Sequence, residues 1–335
     1  MPTDKFPALV VRREGKSQAT CAVEQLDRSD LPPGEVLIEV EYSSLNYKDA
    51  LACRAHPGVV KQLPHVPGID CAGTVVESAV PDFSAGDSVL VTGYDFGSGA
   101  WGGYSAQARV PAEWLVAMPK SLTPRRAVIY GTAGFTAAQC GHAIQHDGIK
   151  PDRGEVVVTG ATGGVGSVAV ALLAKLGYKV VAVTGKPDFA GLLQELGAVR
   201  IIGREEVDDK SDKQLLPSKW SAAVDTVGGN TLATLLRSTI HRGCVAACGL
   251  VGGDTLPLTV YPFILRGVTL SGIDSAKCPR EPRMEIWNLL SGAWNVVDRL
   301  EPLAREVSLN QVPEEVEAML AGKNHGRVLV RPVVD

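Results

Sequence analysis

Aromatic residues are scarce in this chain of 335 residues, with Phe, Trp and Tyr together at 5%. A surface that stacks nucleic-acid bases needs aromatic platforms beside a basic groove. The charge runs the other way, with 37 Asp and Glu against 33 Lys and Arg, for a net charge of −4. Nucleic acid and anionic membrane are thereby excluded as main partners. No apolar run reaches the roughly 18 residues that would read as a membrane-spanning helix. The opening segment MPTDKFPALVVRREG contains no apolar signal core, so a cytoplasmic location is expected.

Paired cysteines are also missing. Cys21, Cys53, Cys71, Cys140, Cys244, Cys248 and Cys278 are scattered, odd in number and free of any C-x-x-C spacing. That pattern excludes a disulfide framework and a four-cysteine zinc site, and predicts free, buried thiols. Cys244 and Cys248 are expected on one strand, pointing to one face. His142 and His146 stand four apart on an expected helix, but no Glu follows His142, so the zinc-protease pattern fails. No metal is expected.

Glycine, by contrast, is plentiful, and its placement is informative. Val156 to Thr159 read as a buried parallel strand. Gly160, Gly163, Gly164 and Gly166 follow as a turn, and Val168 to Leu176 as an apolar helix closed by Gly177. Strand, glycine turn and helix together describe a dinucleotide site. The glycines let the backbone approach a pyrophosphate, and the helix N-terminus offers free N–H groups. Thr162, Gly163, Gly164, Val165 and Gly166 are the expected phosphate-binding residues.

An NAD site ordinarily holds Asp or Glu at the end of the next strand, where it grips the ribose 2′-hydroxyl. Here that strand, Lys179 to Val183, runs into Thr184-Gly185-Lys186, with no carboxylate until Asp188. A hydroxyl, a glycine N–H and a lysine suit a 2′-phosphate, and Arg204 past the strand Val199 to Ile202 can add a bidentate contact. The expected cofactor is NADPH.

Two textures divide the chain. Short strands punctuated by Gly and Pro fill residues 7 to 118: Ala8 to Arg12, Glu35 to Ser43, Gly73 to Ser78, Ser88 to Thr92 and Tyr104 to Pro111. They predict a β-rich, barrel-like domain. From about residue 122, beginning with a helix over Thr123 to Cys140, helices alternate with strands at 179–183, 199–202, 222–225, 243–247 and 268–272. Such alternation predicts a doubly wound parallel sheet, so the fold class is α/β. A helix around Glu314 to Ala321 and a strand Arg327 to Arg331 in the tail are expected to rejoin the first domain.

Five segments then carry a resemblance over essentially the whole chain: SSLNYKDAL (43–51), VPGIDCAGTV (66–75), GTAGFTA (131–137), TGATGGVG (159–166) and CGLVGG (248–253). The chain resembles the medium-chain dehydrogenase/reductase superfamily, in its zinc-free quinone oxidoreductase branch. LNYKDA, WGGYSAQARV (101–110), FILRGVTLSGIDS (263–275) and CPREPR (278–283) bring it nearest to the acrylyl-CoA reductase subfamily. The resemblance implies a GroES-like catalytic domain, residues 1–124 and 266–335, interrupted by a Rossmann NADPH-binding domain, residues 125–265. It also implies a homodimer. Zinc-dependent relatives have a cysteine where this chain has Asn46, and a His-Glu pair where it has Ile69-Asp70. The implied activity is therefore zinc-free reduction of a polarised C=C bond.

The implied reaction is 1,4-reduction of a short enoyl-CoA, acryloyl-CoA to propionyl-CoA. Hydride goes to the β-carbon and a proton to the α-carbon, and the enolate oxygen needs donors. Tyr47 is the first candidate beside the nicotinamide, Asn46 offers amide donors, and Asp70 can orient them, although Asn46 and Asp70 equally suit turn stabilisation. Lys48 and Asp49 read as a structural pair. By position in the family, Gly249-Leu250 and Ile273 face the nicotinamide and Asn324 closes over the cofactor. Thr132 and Thr136 are further cofactor candidates, with helix capping an equal role for Thr132. Arg54, Lys61, Arg280 and Arg283 are candidate CoA-phosphate cations, Arg280 and Arg283 foremost. A quinone or enone reductase on the same fold is the alternative, and a non-catalytic crystallin-like NADPH-binding protein a weaker one.

Overall fold

The computed structural model describes residues 5–13, 15 and 19–334. The strands are β1 (Lys5–Arg12), β2 (Thr20–Asp27), β3 (Val36–Ser44), β4 (Asp70–Ser78), β5 (Ser88–Thr92), β6 (Gln107–Val110), β7 (Val116–Ala117), β8 (Glu155–Val158), β9 (Lys179–Val183), β10 (Ala198–Ile202), β11 (Trp220–Asp225), β12 (Thr239–Ala247), β13 (Thr269–Gly272), β14 (Ala304–Ser308) and β15 (Arg327–Arg331). The helices used below are α1 (Tyr47–Cys53), α2 (Pro124–His146), α3 (Gly164–Lys175), α4 (Ala190–Glu195), α5 (Gly229–Ser238), α6 (Tyr261–Arg266) and α7 (Arg280–Ser291). The chain divides into two compact units. One comprises Met1–Thr132, Ala276–Ser291 and Leu303–Asp335; the other comprises Ala133–Ser275 and Gly292–Pro302.

In the first unit, β1 and β2 form an antiparallel ribbon, Lys5 opposite Asp27 and Arg12 opposite Thr20. The larger sheet runs β14-β15-β3-β4-β5-β7, with β6 also paired to β3. β3 is its centre: Ser43 and Ser44 pair with β15, Val36 to Glu39 pair with β6, and β4 lies along the strand's other edge. Sharing one strand among three partners curls the sheet towards a barrel. Val36, Ile38 and Val40 fill one core with Cys71, Val89, Val91 and Phe96. Leu9, Leu45, Ala50 and Val66 fill another with Tyr104, Leu309 and Val330.

The second unit is a parallel sheet in the order β10-β9-β8-β11-β12-β13. β8 is central, and the order reverses beside it, so the carboxyl ends of β8 and β11 flank the crevice where doubly wound sheets bind ligands. Strands covered on both faces read as continuous apolar runs. Val156, Val157 and Val158 are accordingly without exposure, as are Val180, Val181 and Ala182. Each buried valine stabilises the fold by ~1.5–3 kcal/mol over an exposed one.

The expected elements and the observed ones differ in instructive places. The strand Lys179–Val183 stands where expected, as does Arg327–Arg331. The helix expected over Thr123 to Cys140 extends to His146 and is broken at Gly131, which takes φ +49 and ψ −155. A domain cut at residue 266 needs correction, because β13 pairs with β12 from Cys244–Thr269 to Ala247–Gly272 and closes the parallel sheet. The strand carrying Cys244 ends at Ala247, leaving Cys248 just beyond it. All seven cysteines are free, and Cys21 and Cys248 are half-buried where full burial was expected.

The glycine turn after β8 is tightly packed against its own backbone. A Cβ on Gly166 would overlap the Gly160 carbonyl oxygen and stand 2.8 Å from Ala161 Cα. Backbone cannot yield there as a flexible side chain can. Gly166→Ala should therefore lower unfolding stability by ~1–3 kcal/mol in urea titration. An unchanged midpoint would mean that the turn relaxes freely.

Candidate functional site

Each unit carries one cluster of candidate residues. In the first unit the cluster grows from the N-terminus of α1. Asn46 precedes the helix with extended backbone (φ −122, ψ 163), and its N–H donates to Asp49 Oδ2 at 2.8 Å, closing a capping box. Asn46 Nδ2 donates to Asp70 Oδ2 at 2.8 Å, to Asp49 Oδ2 at 3.2 Å and to the Ser44 carbonyl at 3.4 Å. Its Oδ1 accepts from Arg327 Nη1 at 3.3 Å. The amide is thus committed on both sides. The expectation that Asn46 donates to a substrate oxygen is corrected, since both hydrogens already face carboxylates or a carbonyl.

Asp70 is fully buried, and its oxygens are filled. Ser44 Oγ donates to Oδ2 at 2.6 Å, while Thr132 N and Oγ1 donate to Oδ1 at 2.9 and 2.6 Å. Arg327, 2% exposed, brings Nη2 to 3.9 Å from Oδ2 and donates to Ser44 Oγ at 2.8 Å. A side chain on Gly131 would meet Asp70, Arg327 and Ser44 together, so the helix break is held open for this network. Asp70 therefore acts through Asn46 and Thr132, and both Thr132 donors are turned inward. Tyr47, the first residue of α1, is 43% exposed, and its hydroxyl makes no hydrogen bond among the described residues.

Asp49 reads from the sequence as the partner of Lys48, but it faces inward. Its Oδ1 accepts from Gly68 N at 3.1 Å and Ile69 N at 2.8 Å. Burial, and then the charge of Asp70, push this carboxyl up to about 7, against the N–H donors of Asn46 and Ile69. Arg327 is the one cation in contact with this carboxylate pair among the described residues. Its presence in RVLVR, a charged residue opening an apolar strand, was the signal available in the sequence.

The arginines proposed for CoA need a correction. Arg283 is 1% exposed, and its guanidinium donates to the carbonyls of Thr92 (2.6 Å), Ala276 (3.2 Å) and Cys278 (3.2 Å) while lying 4.2 Å over the Tyr94 ring. It is an internal clamp, closed to a phosphate. Arg280 is exposed at the start of α7, with Nη1 donating to the carbonyls of Glu113 and Leu115. Arg54 pairs with Glu317. Asn324 donates from its amide to the Glu315 carbonyl at 3.2 Å.

In the second unit the phosphate residues gather at the carboxyl ends of the strands. Gly163 caps α3 with extended backbone, and the helix begins at Gly164. Thr162 and Thr184 bring their hydroxyls to 3.4 Å. Gly160, Thr162, Thr184, Gly185 and Arg204 line one cavity of about 420 Å³, completed by residues that follow β10, β11 and β12. The Arg204 guanidinium lies directly over Gly185. Burial, and then the Arg204 charge, hold the Lys186 ammonium below its usual range. Arg204 lines the cavity and Lys186 is not among its lining residues; a guanidinium there favours an anionic group. Leu250, 63% exposed, and Ile273 follow the carboxyl ends of β12 and β13. Thr136 is buried within α2.

The loop after β11 is fixed by a buried carboxylate that sequence reasoning missed. Asp225 Oδ1 accepts from Thr159 Oγ1 at 2.7 Å, and Oδ2 accepts from Gly228 N at 2.7 Å. Thr226 Oγ1 donates to the Thr159 carbonyl at 3.0 Å. The glycine turn and the β11 loop are locked together by these bonds. A backbone cradle at a helix N-terminus, with the Arg204 guanidinium in the same cavity, fits a dinucleotide bearing an extra phosphate. Among the described residues, no cluster of three His, Cys, Asp or Glu side chains is placed to hold a metal ion. Among the same residues, no helix is long and apolar enough to cross a membrane.

Residues 32–120 match the alcohol dehydrogenase GroES-like domain, and residues 164–291 match the family described as zinc-binding dehydrogenase. The probable acrylyl-CoA reductase AcuI of Escherichia coli K12 is 48% identical, covering 96% of this chain and 98% of its own. The structure of E. coli K-12 YhdH with bound NADPH has a TM-score of 0.93 at 47% identity, over 97% of this chain and all of that one. The Bacillus subtilis protein YhfP, solved with NAD bound, has a TM-score of 0.94 at 45% identity, over 98% and 99%. With sequence identity near one half along almost its whole length, the chain belongs to the medium-chain dehydrogenase/reductase superfamily.

Proposed function

We propose that the protein reduces the C=C bond of a short enoyl-CoA with NADPH, acryloyl-CoA giving propionyl-CoA. The observation that carries the cofactor is the Thr184-Gly185-Lys186 strand end with Arg204 across it, where an NAD site would present a carboxylate. The substrate class rests on the relative named acrylyl-CoA reductase, at 48% identity. When bound, NADPH supplies the hydride, which goes to the β-carbon of the thioester.

The chain's own residues then have three tasks. The Gly163 to Gly166 backbone and α3 hold the pyrophosphate, and Lys186 with Arg204 holds the 2′-phosphate. Asn46, fixed by Asp70 and Arg327, anchors the start of α1 and so places Tyr47. The exposed Tyr47 hydroxyl is the donor proposed for the enolate oxygen, where one such donor commonly contributes ~3–4 kcal/mol. Zinc has no part in this reading: Ile69 is apolar and 3% exposed, and the Asn46 amide is already bonded at both ends. The charge is stabilised by hydrogen bonding.

A homodimer is proposed as well. β13 is the sheet's edge, and neighbouring α6 exposes Ile264 (69%) and Leu265 (54%), with Val260 (62%) just before it. An apolar patch beside an open edge is a liability unless covered. Sedimentation equilibrium should give twice the chain mass; a monomer at micromolar concentration removes the proposal.

The cofactor assignment is tested by titration. Lys186→Ala and Arg204→Ala should each weaken NADPH by ~1.5–3 kcal/mol and leave NADH little changed. Equal weakening of both cofactors counts against the phosphate contact. For the reaction, kcat/KM with acryloyl-CoA should exceed that with crotonyl-CoA, and greatly exceed that with methyl acrylate or a quinone. Tyr47→Phe should lower kcat on acryloyl-CoA by ~10²-fold or more at unchanged NADPH affinity. Equal rates on quinone and thioester would establish the general reductase instead.

A further inference from the structure

One side chain in the second unit's cavity is oriented with an acceptor left over. Asn230 is the second residue of α5, entered through Gly228 and Gly229 at φ +77 and +55. Its Nδ2 donates to Asp208 Oδ1 at 2.7 Å and to the Asp209 carbonyl at 3.0 Å. Both amide hydrogens are thus used, and the nitrogen cannot exchange places with the oxygen without facing two acceptors. Asp208 is itself held ionised by hydrogen bonds from Lys210 and Asn230. The Asn230 Oδ1 makes no hydrogen bond among the described residues, and the residue lines the 420 Å³ cavity.

The cavity's parts are already divided by chemistry. Gly160 and Thr162 stand at the glycine turn, the place of the pyrophosphate. Thr184, Gly185 and Arg204 stand at the ribose. The rest of the lining sets the apolar faces of Val207, Val227 and Val251 among polar and charged neighbours such as Asp208 and Lys210, with the Asn230 carbonyl beside them. A planar base is the remaining piece of the dinucleotide. Adenine carries an exocyclic amine with two hydrogens, and an asparagine carbonyl is a natural acceptor for it.

We propose that Asn230 reads the base of the cofactor, its Oδ1 accepting a hydrogen bond from the adenine amine, with Asp208 as the positioning residue that aims the amide. The inference rests on the NADPH reading above. It makes the protein selective for adenine over hypoxanthine, whose carbonyl at the same ring position would face another acceptor.

The test is a set of fluorescence titrations with NADPH, NADH and reduced nicotinamide hypoxanthine dinucleotide phosphate, without substrate. The wild-type protein should bind NADPH about tenfold tighter than the hypoxanthine analogue. In Asn230→Ala that ratio should fall to about one or two, mostly through weaker NADPH binding. Asp208→Ala should lower the ratio partway. A purely structural Asn230 would weaken both phosphorylated cofactors by the same factor and leave the ratio intact, which overturns the proposal. So does a wild-type ratio near one, which needs no variant to fold. Binding of NADPH no tighter than NADH is a separate result and defeats the cofactor assignment instead.

Discussion

A charge removed entirely from water must find its donors inside the protein, and in the first unit that charge is Asp70. Left unpaired, a buried carboxylate costs several kcal/mol. Its donors come from β3 (Ser44), from the cap of α1 (Asn46), and from the start of α2 beyond the break (Thr132). Arg327, opening β15, supports the same atoms. Meeting the needs of one side chain therefore fixes where these segments converge. Gly131 is part of that constraint, since only the absence of a side chain lets the chain pass so near. Tyr47 inherits its position from the cap residue beside it.

The second unit solves a similar problem with Asp225. Burial pushes this carboxyl upward in pKa, and Thr159, Val227 and Gly228 answer with donors. The outcome is a fixed relation between the β8 turn and the β11 loop, the two sides of the crevice. In both units a buried aspartate sets the geometry of the residues around it. Preorganisation of this kind is what a cofactor or transition state needs, because no binding energy is spent on ordering the loop.

The sequence showed some of this and hid the rest for physical reasons. The glycine turn was legible because backbone approach restricts it to small residues, and Lys179–Val183 because a doubly covered strand is uniformly apolar. β2, TCAVEQLD, went unread: it is half-exposed along most of its length, and its apolar contrast is weak. The Asp49, Asp70 and Arg327 cluster joins residues far apart in sequence, and no local period announces it. Asp49 beside Lys48 looked like a helix-surface pair, whereas its Oδ1 caps two N–H groups of the 68–69 turn. Arg283 misled in the opposite sense. Arginine is usually at the surface, and only tertiary structure shows three carbonyls and an aromatic ring around it.

Gly185 carries a consequence for how cofactor choice could change over evolution. Arg204 lies where a Cβ on residue 185 would stand, its Nε 2.5 Å from that point. The guanidinium is the flexible partner, so any larger residue at 185 would displace the cation rather than the strand. With Arg204 as the proposed phosphate contact, preference for the phosphorylated dinucleotide would rest partly on a missing side chain. A lineage could lose it through a single substitution that neither removes a positive charge nor adds a negative one, and a comparison of charged residues alone would overlook the change.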